Sequence, residues 1–391
     1  MKTLKSMRLH IGIFGKTNVG KSSLLNKITG QDIAIVSEIA GTTTDVVEKS
    51  MELLPIGPVT FLDTAGIDDK SALGAERIEK TMKILNRTDV AVVVCDYSGI
   101  DEYEKGLIEK FNELKIPFIV LVNKTDIKPL EVELPYENVL QTSVKTDENL
   151  VNNFKQALIK LLPDEFVNSP KIVGDLLDEK SVVILVTPID KEAPKGRLIL
   201  PQVQTIRDLL DSDCITLVVK ESELSDALNS LKNPPALVVT DSQAFRKVAE
   251  IVPENIPLTS FSILFARLKG DLDAFIKGAQ AIENLQDGDR VLILESCTHH
   301  AIEDDIGRVK IPNLLRKKTG KDLIIDNISG HDFPDISKYS LVIHCGACMT
   351  NRREVLSRIL ISSRKGIPIT NYGIAISYCL GILPRAIKPI T

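Results

Sequence analysis

The chain has 391 residues, a formal net charge of −5, 43% hydrophobic, 26% charged and only 4% aromatic residues, and no tryptophan. That balance excludes a strongly basic nucleic-acid face and a base-stacking platform, and the length allows two or three domains. Six cysteines are too few for a disulfide framework in a chain this long, and no apolar run is long enough to span a bilayer; the expectation is a cytoplasmic protein with no nucleic-acid or membrane partner.

The first predicted strand, Leu9 to Phe14, runs into Gly15-Lys16-Thr17-Asn18-Val19-Gly20-Lys21-Ser22, ahead of a helical pattern at Leu24, Leu25 and Ile28. This is the G-x-x-x-x-G-K-[ST] phosphate loop in the strand-loop-helix setting it requires. Gly15 and Gly20 let the backbone curl around phosphate, Lys21 reaches the β and γ oxygens, and Ser22, with Ser23 beside it, offers a hydroxyl to Mg2+. Thr42 and Thr43 follow in a polar loop, Thr43 able to supply a second hydroxyl to the metal. The strand Val59 to Leu62 ends in Asp63-Thr64-Ala65-Gly66, which places Asp63 near the metal and the Gly66 amide near the γ-phosphate. Lys21, Asp63, Gly66 and Thr43 are the expected catalytic set. Val90 to Cys95 is a buried strand, and Ile119 to Val122 leads into Asn123-Lys124-Thr125-Asp126. A carboxylate at Asp126 selects guanine, because its partners are the guanine N–H donors, and Ser143, Val144 and Lys145 close the base pocket. Asn149 to Leu162 is an amphipathic closing helix and Pro163 ends it, so residues 1–168 form a GTPase domain that binds GTP or GDP with Mg2+.

Residues 163–178 read as a linker. Beyond it, strands at Val182 to Val186, Ile215 to Val219 and Ala236 to Val239 alternate with helices at Leu198 to Leu210 and Leu224 to Leu231, a small parallel α/β unit over 175–268 that carries no phosphate loop or metal spacing. Self-association is the role expected for it. The third unit, 270–391, repeats the alternation, and its two strands Val291 to Leu294 and Leu341 to Ile343 run into Ser296-Cys297-Thr298-His299-His300 and His344-Cys345-Gly346-Ala347-Cys348. Cys-x-x-Cys brings two thiolates to one metal from a single turn, and the Cys-x-His-His segment adds a third thiolate and imidazoles, all past the carboxyl ends of parallel strands. Three parallel, doubly wound or Rossmann-like α/β units result, the first a P-loop GTPase.

The first domain resembles the TrmE, Era and EngA group of GTPases. That resemblance implies a K+ bound through Asn18, and Ile67 stands where Ras-like proteins carry a water-positioning glutamine. A GTPase joined to Cys-x-His and His-Cys-x-x-Cys segments resembles, over the full chain, the FeFe-hydrogenase maturation GTPases of the HydF family. The resemblance implies a 4Fe-4S cluster on Cys297, Cys345 and Cys348, with His299 and His344 as further candidate ligands. It also implies a dimeric or tetrameric scaffold that takes a diiron precursor from two radical enzymes and delivers it to the hydrogenase. A zinc-binding or redox-sensing GTPase acting on RNA or the ribosome would use the same thiolates.

Overall fold

The computed structural model describes residues 8–30, 47–54, 56–63, 81–130, 133–162, 171–188, 198–242, 244–295, 306–330, 333–346 and 350–390. They divide into two compact units, Met1–Ser169 and Pro170–Thr391.

The first unit is a six-stranded sheet of β1 (Leu9–Phe14), β2 (Val47–Leu53), β3 (Gly57–Asp63), β4 (Val90–Cys95), β5 (Phe118–Val122) and β6 (Val139–Gln141), in the order β2-β3-β1-β4-β5-β6. All neighbours are parallel except β2, which pairs antiparallel with β3. The strands alternate side chains between two faces that are both buried. Val90, Val92 and Val94 pack with Leu24, Leu25 and Ile28 of α1 (Lys21–Thr29) and with Leu150, Phe154 and Leu158 of α3 (Leu150–Leu161). Ala91, Val93 and Cys95 pack on the other face with Leu107, Ile108 and Phe111 of α2 (Glu102–Leu114). Burial pushes the Cys95 thiol up to about 12, so it is an inert core residue, as expected. Asp101 caps α2 by accepting from the amides of Tyr103 and Glu104, while Glu104 accepts from the Asp101 amide, a reciprocal capping box.

The second unit holds two four-stranded parallel sheets. The first comprises β7 (Val182–Val186), β8 (Ile215–Val219), β9 (Leu237–Thr240) and β10 (Leu258–Ser260), ordered β10-β9-β7-β8. Its helices are α4 (Leu200–Leu210), α5 (Leu224–Ser230), α6 (Phe245–Ile251) and α7 (Phe261–Lys269). The second sheet comprises β11 (Arg290–Glu295), β12 (Ile324–Ser329), β13 (Leu341–His344) and β14 (Ile369–Asn371), ordered β12-β11-β13-β14. Its helices are α8 (Leu272–Gln280), α9 (Ile311–Thr319), α10 (Arg352–Arg364), α11 (Tyr372–Cys379) and α12 (Leu383–Ile387), with a π-helical turn at Ile306–Lys310 leading into α9.

One hydrophobic cluster runs through both sheets, from Val183 and Val238 through Phe265 to Leu292 and Ile343. The expected boundary at 268–270 lies within this core. Arg385 of α12 adds a polar tie, donating to the carbonyls of Ala249 at 3.0 Å, Val252 at 2.7 Å and Pro253 at 2.8 Å, at and just beyond the end of α6, where helix carbonyls lack intrahelical partners. The linker expectation needs correction at its far end. Ile172 and Val173 are buried, and the amides of Ile172, Val173 and Gly174 donate to the Asp208 carboxylate at 3.0, 2.9 and 2.9 Å, so this stretch belongs to the second unit. Cys214 is buried as expected, while Cys379, expected in the core, is only partly covered.

Candidate nucleotide site and candidate metal centre

The phosphate loop is positioned by three neighbouring strands. Ile13 of β1 is in register with Asp63, the last residue of β3, and β4 flanks β1 on the other side. Gly15 takes a φ of 134°, and a Cβ there would meet the Val94 carbonyl oxygen at 2.1 Å. Gly20, the N-cap of α1 at a φ of 104°, would meet the Asn123 amide at 2.2 Å. Only glycine fits either place. Asn18 lies between them in the left-handed region at φ 64°, exposed. Lys21 is buried, and its Nζ donates to the carbonyls of Gly15 and of Lys16, the latter at 2.7 Å, which keeps the ammonium against the loop's own backbone. Ser22 and Ser23 are exposed on the first turn of α1, where helix amides and the dipole favour an anion.

Asn123 joins the loops. Its Nδ2 donates to the Val19 carbonyl at 2.8 Å and its Oδ1 accepts from the Val144 amide at 2.9 Å, so one buried amide side chain holds the phosphate loop to the Ser143-Val144-Lys145 segment. Thr142 and Ser143 are buried, and the Thr142 hydroxyl donates to Asp147 at 2.6 Å. Lys124 stands at φ 63° with its Nζ 3.7 Å from Asp96, and Asp126 and Lys145 are exposed at the rim. The spacing of the motifs gives no hint of Lys16, whose ammonium pairs with Asp101 and lies 3.9 Å from Glu104, tying the phosphate loop to the capping box of α2. Thr42, Thr43, Gly66 and Ile67 lie outside the described residues.

Asn123→Ala is expected to leave the Val19 carbonyl and the Val144 amide without these bonds, at about 1–3 kcal/mol each. Calorimetric titration with GDP should therefore show affinity weaker by about tenfold or more.

In the second unit β11 and β13 are adjacent and parallel, with Leu294 in register with His344, and the Cys345 amide donates to the Leu294 carbonyl at 2.9 Å. β11 and β13, the strands that precede the two expected thiol segments, therefore end side by side at the carboxyl end of one sheet. Cys345 is buried and lines a small hollow with Lys269, Phe265, Phe275, His344 and Asn371. Cys297, His299, His300 and Cys348 lie outside the described residues, and among the described residues no three His, Cys, Asp or Glu side chains form a metal-sized group.

His344, a candidate ligand, has both ring nitrogens engaged within the fold. Its Nδ1 lies 2.7 Å from the Cys345 carbonyl and its Nε2 lies 2.5 Å from Arg358 Nη1, whose other Nη donates to Glu354 at 2.6 Å. A guanidinium only donates, so Nε2 accepts and Nδ1 carries the proton to the carbonyl: both nitrogens are engaged and the ring is neutral. Burial, and then the Arg358 charge, push the imidazole down to about 3. The imidazole orients the Cys345 backbone. Lys269 fits a thiolate-held metal group, since this buried cation lines the same hollow as Cys345, whose thiolate would be anionic, while Arg358 lies behind His344 with its charge met by Glu354. Neither residue is marked by the sequence pattern: Arg358 sits four residues after Glu354 as in any helical ion pair, and Lys269 reads as a solvated helix end.

The first unit, with its glycine-bent loop clamped through Asn123 to a guanine-type pocket, defines a P-loop GTPase, and residues 10–124 match the family model described as 50S ribosome-binding GTPase. Residues 172–270 match the hydrogen maturase F dimerization domain and residues 273–389 the hydrogen maturase F tetramerization domain, together more than half of the chain. The chain belongs to the HydF family of hydrogenase maturation GTPases.

Among curated relatives, GTPase Der of Wolinella succinogenes is 42% identical over 130 residues, which is 32% of this chain and 27% of Der. The tRNA modification GTPase MnmE of Helicobacter acinonychis is 29% identical over 244 residues, 59% of this chain and 53% of MnmE. The chain thus spans about half or less of the length of these relatives. A solved structure of Aquifex aeolicus Era matches at 21% identity over 62% of this chain and 97% of that one, with a TM-score of 0.32.

Proposed function

We propose that this protein hydrolyses GTP in the maturation of FeFe-hydrogenase, as a scaffold that holds a 4Fe-4S cluster and passes a diiron precursor from two radical enzymes to the hydrogenase. The observation that carries the proposal is the joining of two sites in one chain: a phosphate loop fixed by Asn123, and Cys345 placed beside the end of β11 in a hollow that the buried Lys269 also lines. Lys21 and Asp63, with Gly66 and Thr43, serve hydrolysis, Ser22 and Thr43 hold Mg2+, and Asp126 reads guanine. Cys297, Cys345 and Cys348 hold the cluster, which supplies an iron position open to exchange. The expected division, 1–168, 175–268 and 270–391, with the middle segment extended back to Ile172, assigns nucleotide, dimer and cluster to successive segments, and the setting is cytoplasmic. No helix is long and apolar enough to cross a membrane, among the described residues.

The domain models support oligomer formation. The edge strand β8 supplies a surface for it, with Ile215 52% and Val218 43% exposed at the end of its sheet. An apolar edge of this kind is a template for strand pairing with a second copy.

Anaerobic purification with iron and sulfide analysis and EPR after reduction tests the cluster. A brown protein with an iron-sulfur signal is expected, and a colourless protein holding zinc would overturn the reading. The K+ site rests on Asn18, at φ 64° beside the phosphates' expected place, and on the absence of glutamine at Ile67. A cation there offsets charge developing on the γ-phosphate, so turnover should be several-fold faster in KCl than in NaCl at matched ionic strength, an effect of about 1 kcal/mol or more. Equal rates would remove the K+ role.

A further inference from the structure

We propose that Lys269 is a positioning residue for the metal group on Cys345, lending the positive charge that raises the reduction potential of that group. The inference rests on the iron-sulfur reading above. Lys269 ends α7, within the segment matched as the dimerization domain, and its side chain reaches the loop after β13 in the segment matched as the tetramerization domain. It is 2% exposed, and its Nζ donates to the Thr350 carbonyl at 3.2 Å and lies 5.6 Å from the centre of the Phe265 ring. The same side chain lines the hollow that Cys345 and Gly346 line. Thr350 lies two residues past Cys348 in the sequence, so the one bond is made just beyond the Cys-x-x-Cys segment that Cys345 begins.

Burying an ammonium costs several kcal/mol, roughly, unless bonds and nearby negative charge offset it. The neighbouring basic groups do not duplicate its charge. His344 is neutral by its hydrogen bonds, and Arg358 is bonded to the Glu354 carboxylate. Reduction of an iron-sulfur group adds one negative charge, and a fixed cation nearby in a poorly hydrated hollow stabilises that state relative to the oxidised one. The Phe265 and Phe275 walls keep the hollow apolar and so strengthen the effect.

The test is an EPR-monitored redox titration of the anaerobic full-length protein, with iron content and thermal melting measured alongside. Wild-type protein is measured first: absence of an iron-sulfur signal there overturns the proposed function itself, independently of Lys269. Lys269→Gln keeps a donor for the Thr350 carbonyl and removes the charge. It is expected to hold the wild-type iron content with a reduction potential shifted to more negative values, while Lys269→Arg stays near wild type. A Lys269→Gln protein with full iron and an unchanged potential overturns the proposal. If Lys269→Gln loses iron without a change in melting, Lys269→Arg decides: retained iron and potential support the charge role, and lost iron reduces Lys269 to a steric fit. If neither Lys269→Gln nor Lys269→Met folds but Lys269→Arg does, the residue is a structural anchor and the proposal is overturned.

Discussion

Lys21→Ala is expected to lower GTP turnover by about a hundredfold or more, because the variant loses the fixed cation that meets charge developing on the β and γ oxygens. The Lys21 ammonium is already gathered by the carbonyls of Gly15 and Lys16, so little reorganisation separates its position from the phosphates. That preorganisation is what alanine removes. The fold should survive, since Gly20 and the Asn123 clamp set the loop's path without the lysine side chain. Phosphate release under saturating GTP measures the effect, and iron content should be unchanged because the thiols lie in the other compact unit. Turnover within a few-fold of wild type would show that another cation carries the chemistry.

Cys345→Ala is expected to abolish the iron-sulfur signal and leave GTP turnover intact. Cys345 sits where β13 ends, its amide bonded to Leu294, so alanine keeps the backbone in place and removes only the sulfur. The lost packing of one sulfur atom costs about 1 kcal/mol, too little to unfold the unit. A thiolate ligand is different, because the proposed cluster has only three and the loss of one leaves half of a cubane's four irons without a cysteine. Iron analysis and EPR of the purified variant check this, and a variant with wild-type iron would exclude Cys345 as a ligand.

Much of the GTPase unit is legible in the sequence, because β1, β4 and β5 are unbroken apolar runs and the phosphate-binding residues are contiguous. The antiparallel strand β2 is not, since Val-Glu-Lys-Ser-Met-Glu-Leu alternates on a sheet edge and resembles a solvated segment. The strand β10 and helix α7 are missed for the opposite reason. Phe261, Ile263, Leu264, Phe265 and Ala266 are all buried, so the stretch shows no period at all. Long-range bonds are the least legible. Nothing in the pattern around His344 announces Arg358, fourteen residues further on, as the partner of its second nitrogen. The apolar pair Ile172 and Val173 reads as linker until the Asp208 carboxylate accounts for the amides around it.

The Arg385 tie and the core shared by β7 to β10 and β11 to β14 have a consequence for how this protein can be taken apart. An exchange of modules with a related chain that breaks between residues 270 and 273 would split one interior and strand a guanidinium away from the helix end it serves. Recombinants should cross over ahead of Ile172, where the chain enters the second unit, and carry everything through Ile390 as a single inherited block.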